Sequence, residues 1–151
     1  MGWRKVLIEA VITKLQGMSL FSSVQVWNKD LEEGFRAGRI PGPAPCALVQ
    51  YSGMTAEEET DWRKRSIRFG ILFGLKGMRG EQAALKGDSA PAADSTFDEI
   101  MEAFENEFWH ETLVAGLSPC IIGDEEYMGA LGGCEWWGVE IMMHVRLEFS
   151  G

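Results

Sequence analysis

Residues 66–75 read SIRFGILFGL, and this stretch indicates the class of fold more clearly than any other part of the chain. Its apolar side chains occupy alternate positions, which is the period of a β-strand with one buried face. The pattern returns near the end of the chain, where residues 139–149 read VEIMMHVRLEF. We therefore expect two long strands that present apolar faces to one core. Their apolar positions are Ile67, Phe69, Ile71, Phe73 and Leu75, and then Val139, Ile141, Met143, Val145, Leu147 and Phe149.

Two other segments have apolar residues at helical spacing. Residues 3–16 form an amphipathic pattern that ends at Gly17, a suitable end for a helix, and the apolar residues at helical spacing are Val6, Leu7, Ala10, Val11 and Leu15. Residues 94–109 begin with polar and acidic residues, which suits the positive end of a helix dipole. The apolar side of this second helix comprises Phe97, Ile100, Met101, Phe104, Phe108 and Trp109.

The remaining segments connect these elements. Three shorter strands are expected, at residues 24–27, 46–51 and 120–122. Residues 52–61 are a polar connection, and the many Gly, Pro and Ala residues of 28–45 and 76–93 predict mobile loops. The sequence therefore predicts the α+β class: a single domain over residues 1–151, with a mainly antiparallel β-sheet and two helices packed on one face.

Composition excludes several classes of protein. The chain has 151 residues, of which 46% are hydrophobic and 25% are charged, so it is too apolar to be disordered. A sequence pI of about 4.7 argues against a protein built to grip nucleic-acid phosphates. Residues 91–151 contain thirteen acidic residues and one basic residue, Arg146, a net charge of −12. Such an excess is typical of a solvated surface, and it also suits a face that repels phosphate or meets a basic partner.

We find no motif of an enzyme or of a metal or cofactor site. The two histidines, His110 and His144, are far apart and lack a ligand motif, and the sequence contains no GxSxG or phosphate-binding loop. The three cysteines, Cys46, Cys120 and Cys134, form no CxxC pair, and free thiols suit a reducing compartment. The sequence therefore favours a structural or interaction protein without catalytic, metal-binding or cofactor-binding residues.

Two aromatic and basic groups are candidates for a protein interface. Trp62 precedes Arg63, Lys64 and Arg65, and Arg68 follows shortly after. This cluster could contact nucleic acid, but the acidic residues before it favour a protein contact or a charge-balanced hairpin. Trp136 and Trp137 are adjacent in a strand, so they point to opposite faces of the sheet. We expect one of them in the core and the other as an exposed anchor.

The order of these elements matches a known pattern. A helix at residues 3–16 leads to a proline-flanked strand, ALVQYSG, and then to the strand DWRKRSIRFGILFGL. The acidic and aromatic helix FDEIMEAFENEFW follows, and the chain ends in WWGVEIMMHVRLEF. In this order the chain resembles the tail terminator proteins, also called tail-completion or minor tail proteins, of long-tailed bacteriophages and prophages.

The resemblance implies an α+β subunit that closes into a ring, usually a hexamer. The ring caps the tail-tube protein when the tube reaches full length, and it offers a surface to the head-completion proteins at the neck. DNA passes through the bore without specific binding, and no membrane is involved. The protein would then be part of the virion tail or neck, and would lie in the host cytoplasm during assembly.

The resemblance also implies a location for the acidic segment, residues 91–151. An acidic surface can line a DNA conduit because like charge suppresses contacts with phosphate. We expect the region from Trp62 to Arg68 to meet a neighbouring subunit or the tube. The candidates for the acidic surface of the bore are Asp124, Glu125, Glu126 and Glu135.

Three other functions remain open on the sequence. The chain could be another component of the phage neck or baseplate, such as a head–tail joining protein. It could also be a small-ligand-binding module whose aromatic sheet face forms a pocket. An enzyme that uses a cysteine or a pair of acids ranks last, because acidic neighbours disfavour the thiolate of Cys120 or Cys134.

Overall fold

Five strands and three helices make up the described part of the chain. The structure is a computed structural model that describes residues 3–40, 42–58, 63–76, 85, 93–107 and 121–147. The helices are α1 (Trp3–Gly17), α2 (Lys29–Arg36) and α3 (Ala93–Glu102), and a π-helical turn (Ala103–Glu107) continues α3. The strands are β1 (Ser23–Val26), β2 (Cys46–Glu58), β3 (Arg63–Lys76), β4 (Ile121–Leu131) and β5 (Cys134–Leu147).

All five strands form one sheet in the order β1-β2-β3-β5-β4. Among these described strands, β1 pairs with β2 in parallel, and every other neighbouring pair is antiparallel. The longest pairing joins β3 to β5, from Arg63 opposite Leu147 to Lys76 opposite Cys134. The predicted α+β fold with a mainly antiparallel sheet is therefore confirmed, and both alternating sequence patterns lie at its centre.

The main core lies between the sheet and two helices, α1 and α3. Leu7, Val11 and Leu15 recur every four residues on α1 and have no exposed surface. Phe97 of α3 makes edge contacts with Phe73 of β3 and Trp137 of β5, at ring-centroid distances of 5.1 and 5.6 Å. We call this side of the sheet the helix-covered face. The predicted packing of two helices on one face is confirmed.

The third helix, α2, was not predicted, and it lies on the opposite face of the sheet. The expectation of a loop over residues 28–45 is wrong for its first part. Asn28 caps the helix by accepting a hydrogen bond of 2.9 Å from the Leu31 amide, and Arg36 donates to Glu32 one turn earlier. Leu31 and Phe35 pack against the second, smaller core, which comprises Ala44, Cys46, Leu48, Cys134 and Trp136.

Strands β2 and β4 are also longer than the sequence analysis predicted. Most of the expected polar connection at 52–61 belongs to β2, which continues to Glu58. The short strand expected at 120–122 is the start of the eleven-residue strand β4, and Cys120 lies outside the described residues. The expected loop at 76–93 also lies outside them, apart from Lys76, Leu85 and Ala93. Among the described residues, no helix is long and apolar enough to cross a membrane.

Candidate interaction surfaces

The side of the sheet opposite α1 and α3 is only partly covered, and we call it the open face. Helix α2 covers the end near Cys46 and Trp136. Beyond α2, the strands form a groove of about 430 Å³. Its apolar side chains come from Trp27, Leu48, Leu72 and Met128, and Met128 is 56% exposed. The groove is therefore an accessible apolar surface in the middle of an exposed sheet.

Two glycines and three acids give the groove its shape and charge. Gly70 on β3 and Gly138 on β5 contribute no side chain, so the strands' backbone forms part of its surface. The acids that line it are Asp124 and Glu126 on β4 and Glu140 on β5. We call this feature the acidic groove, and none of the described residues that line it is basic.

The acidic candidates on β4 divide between the two faces of the sheet. Asp124 and Glu126 line the acidic groove, whereas Glu125 points to the helix-covered face, where Asp98 and Asp94 of α3 are nearby. Partial burial, and then the repulsion from Asp98 and Asp94, raises the pKa of Glu125 above its ordinary value. All three candidates are exposed, but they do not form one surface.

Glu135, the fourth acidic candidate, is fully buried, so the expectation that it faces a bore is wrong. It alternates with Trp136 along β5 and therefore lies on the helix-covered face, beneath the core. The hydroxyl of Tyr127 on the neighbouring strand β4 donates a short hydrogen bond to its carboxylate. Burial of an acid requires such a partner, and this arrangement makes Glu135 part of the core.

Trp136 and Trp137 point to opposite faces, as predicted, but neither is an exposed anchor. They are 3% and 4% exposed. Trp136 packs edge-on against Phe35 of α2 at 4.8 Å, and its indole N–H donates to the Leu131 carbonyl at 3.0 Å. The expectation of an exposed ring failed because α2, which covers Trp136, was not predicted.

The basic candidates of β3 are also divided between the two faces of the sheet. Trp62 lies outside the described residues, and Arg63 and Lys64 are described only as the first residues of β3. Arg68 lies on the open face and donates to the Thr55 hydroxyl at 3.0 Å. Arg65 lies on the helix-covered face, and its buried Nε has no hydrogen-bond partner among the described residues. The predicted cluster is therefore split across the sheet.

Sequence analysis missed a second basic group, on α1. Arg4 and Lys5 are exposed near the start of this helix, on the same side of the sheet as Arg65. The Arg4 guanidinium lies 6.0 Å from the centre of the Tyr51 ring, within the range of a cation–π contact. Lys5 lies 4.0 Å from Glu9. We call Arg4 and Lys5 the basic set. Helix α1, which carries both residues, packs on β1 and β2.

The described residues with potentially reactive side chains include two buried cysteines and a serine–histidine pair. Burial raises the pKa of the Cys46 thiol to about 11, and burial also raises the pKa of Cys134, so both remain protonated. Ser66 and His144 are joined on the open face by a hydrogen bond of 2.9 Å between Oγ and Nδ1. Within the described ranges, no group of three His, Cys, Asp or Glu residues could hold a metal ion.

No family model matches the chain, and no curated protein matches it.

Proposed function

We propose that the chain is the subunit of a phage tail terminator: a ring, usually a hexamer, that caps the tail tube and ends its polymerisation. The assembled protein belongs to the virion tail or neck, and the free subunit to the host cytoplasm. It works as a structural protein, through contacts with itself, with the tail-tube protein and with a head-completion protein.

The observation that carries the proposal is the way in which the sheet is covered. One face packs against α1 and α3, and the other remains partly open with an accessible apolar groove. An open, partly apolar sheet face is a natural site for a protein partner. The elements on which the resemblance to tail terminators rests follow one another along the chain as α1, β2, β3, α3 and β5, with β1, α2 and β4 added between them.

Charge supports the passage of DNA through such a ring. Glu125 lies near Asp94 and Asp98, and all three are exposed beside α3. We assign this acidic group, rather than Glu135, to the bore. Carboxylates at a bore repel the phosphates of passing DNA, so DNA moves without being retained.

A tube-growth experiment tests the proposal. The tail-tube protein of the same phage or prophage is polymerised with and without this chain, and tube lengths are measured by electron microscopy. We expect shorter tubes with added density at one end. A folded acidic protein of similar size is the control for non-specific effects of charge. Tubes of unchanged length with bare ends would contradict the proposal, and binding to a head-completion protein alone would assign the chain to head–tail joining.

The acidic groove also favours a second candidate function, the binding of a small ligand. Its volume of about 430 Å³ falls within the usual range of ligand sites. Its acidic lining and the nearby Trp27 ring would select a cationic ligand with an apolar part. Native mass spectrometry of the purified chain tests this function, since a retained ligand would appear as a discrete added mass. A spectrum that contains only the mass of the bare chain would show that no ligand is tightly held.

A further inference from the structure

The acidic groove combines the features of one half of a protein interface, an apolar surface with charges at its border. Apolar surface from Trp27, Leu72 and Met128 lies next to the carboxylates of Asp124, Glu126 and Glu140. Apolar contact supplies most of the free energy of association, and charges at its border select the partner. A partner that fits this groove has basic side chains with long apolar stems.

The same chain presents such side chains on its other face. Both members of the basic set, Arg4 and Lys5, are exposed near the start of α1. Arginine and lysine can lay their methylene stems along apolar surface while the charged groups meet carboxylates. The basic set is therefore complementary to the acidic groove in both charge and apolar character.

The two surfaces lie on opposite faces and towards opposite edges of one sheet. Helix α1 packs on β1 and β2, whereas the acids of the groove come from β4 and β5 at the other edge. One molecule cannot join these surfaces within itself, but two copies can join them head to tail. Contacts of this kind between unlike surfaces produce a ring when the rotation closes.

We propose that the acidic groove of one copy binds the basic set of a second copy, with Arg4 and Lys5 of α1 entering the groove. This inference deepens the proposed function and rests on it for the closure of the contact into a ring. It also assigns Asp124 and Glu126 to the contact between subunits, and not to the bore as the sequence suggested.

Charge reversal on each surface tests the contact. The groove variant combines Asp124→Lys with Glu126→Lys, and the helix variant combines Arg4→Glu with Lys5→Glu. Each places like charges opposite each other, so we expect self-association, measured by sedimentation velocity at low ionic strength, to weaken roughly tenfold to a hundredfold. An equimolar mixture of the two variants should assemble again, because each groove then meets a helix of opposite charge. A chain with all four changes should also recover.

A matched control separates a specific contact from net charge. Glu99→Lys with Glu102→Lys reverses two exposed acids on α3 and changes the net charge as much as the groove variant does. It should assemble like the wild type. The inference is overturned if wild type stays monomeric at its highest soluble concentration and low ionic strength. It is also overturned if the control loses assembly as the groove variant does, if the mixture fails to recover, or if a small ligand is found in the groove of a monomeric chain.

The tube-growth experiment distinguishes this inference from the proposed function. Tubes capped equally well by wild type and by both reversed variants would refute the contact and leave the function standing. Charge-dependent self-association of a chain that leaves tubes uncapped would refute the function and leave the contact standing.

Discussion

Replacing Gly74 with alanine tests how tightly the second core is packed. Gly74 lies on β3 directly opposite Trp136 on β5, and a methyl group there would lie 2.7, 2.8 and 2.9 Å from three atoms of the Trp136 ring. Ordinary contact begins at 3.4 Å. The ring cannot easily withdraw, because Phe35 packs against it and its N–H is bonded to Leu131. The variant must therefore displace the ring, the strand or α2.

The size of the effect follows from two opposing contributions. Extra volume in a well-packed core costs about 1–3 kcal/mol. Loss of glycine from the unfolded chain returns about 0.4–1 kcal/mol, since Gly74 has a φ that alanine tolerates. We expect a net loss of about 1–2 kcal/mol in the free energy of unfolding. For a chain of this length that corresponds to a fall in Tm of roughly 2–8 °C.

Thermal unfolding followed by tryptophan fluorescence measures this fall. Gly17→Ala is the matched control, because a methyl group there meets nothing within 4 Å, and its Tm should equal or exceed that of wild type. Trp136→Phe should cost less in the Gly74→Ala background than in the wild type, because the two sites are in contact. A Gly74→Ala variant as stable as the wild type would refute the tight packing of Trp136 against the strand.

Three further predictions concern buried or partly buried groups. Glu125→Gln should raise Tm at neutral pH, because partial burial and the nearby Asp98 and Asp94 raise the pKa of Glu125, so the wild type loses stability as pH rises through that pKa. The advantage should disappear below the ordinary pKa of 4.5, and a difference in Tm that stays constant across this range would contradict the raised pKa. Tyr127→Phe removes the hydroxyl bonded to buried Glu135, so urea unfolding should show a loss of about 1–3 kcal/mol. Cys46 should resist iodoacetamide at neutral pH in the folded chain and react after unfolding, as peptide mapping would show.

The alternation of apolar and polar residues along the strands made much of the fold predictable. The alternation in β3 and β5 predicted which side chains are buried, and Phe69, Phe73 and Ile141 have no exposed surface. The spacing in α1 and α3 predicted their packing on the same face. These predictions succeeded because a period of two or of 3.6 residues leaves one orientation in which all apolar residues are covered.

Helix α2 was not predicted because its local signal is weak. It has eight residues, contains Gly34, and none of its side chains is fully buried. A helix this short is not stable alone, so it depends on the contacts of Leu31 and Phe35 with the second core. Those contacts join residues far apart in the chain, and no local pattern reports them. Because the same contacts bury Trp136, the expectation that this ring is exposed was wrong as well.

The faces of the acidic residues on β4 could not be read from the sequence for a different reason. The register between β4 and β5 shifts between Ile122 and Glu125 and again between Tyr127 and Gly129. Each shift changes which residues share a face, so counting alternate positions along β4 gives the wrong partners. Only the observed pairing places Glu126 in the groove and Glu125 beside α3.

The groove itself follows from glycines that no aromatic ring covers. On the open face, Gly74 is covered by Trp136, and that part of the sheet is closed by α2. At Gly70 and Gly138 the nearest side-chain atoms to an added methyl group are 3.4 and 3.8 Å away, so space remains above the strands. Glycine inside a strand costs stability and contributes no packing, and its compensating advantage is that another chain can approach the backbone closely. Gly70 and Gly138 lie on adjacent strands, two positions out of register and bordered by acids, so the basic side chains of a partner can lie against this part of the sheet.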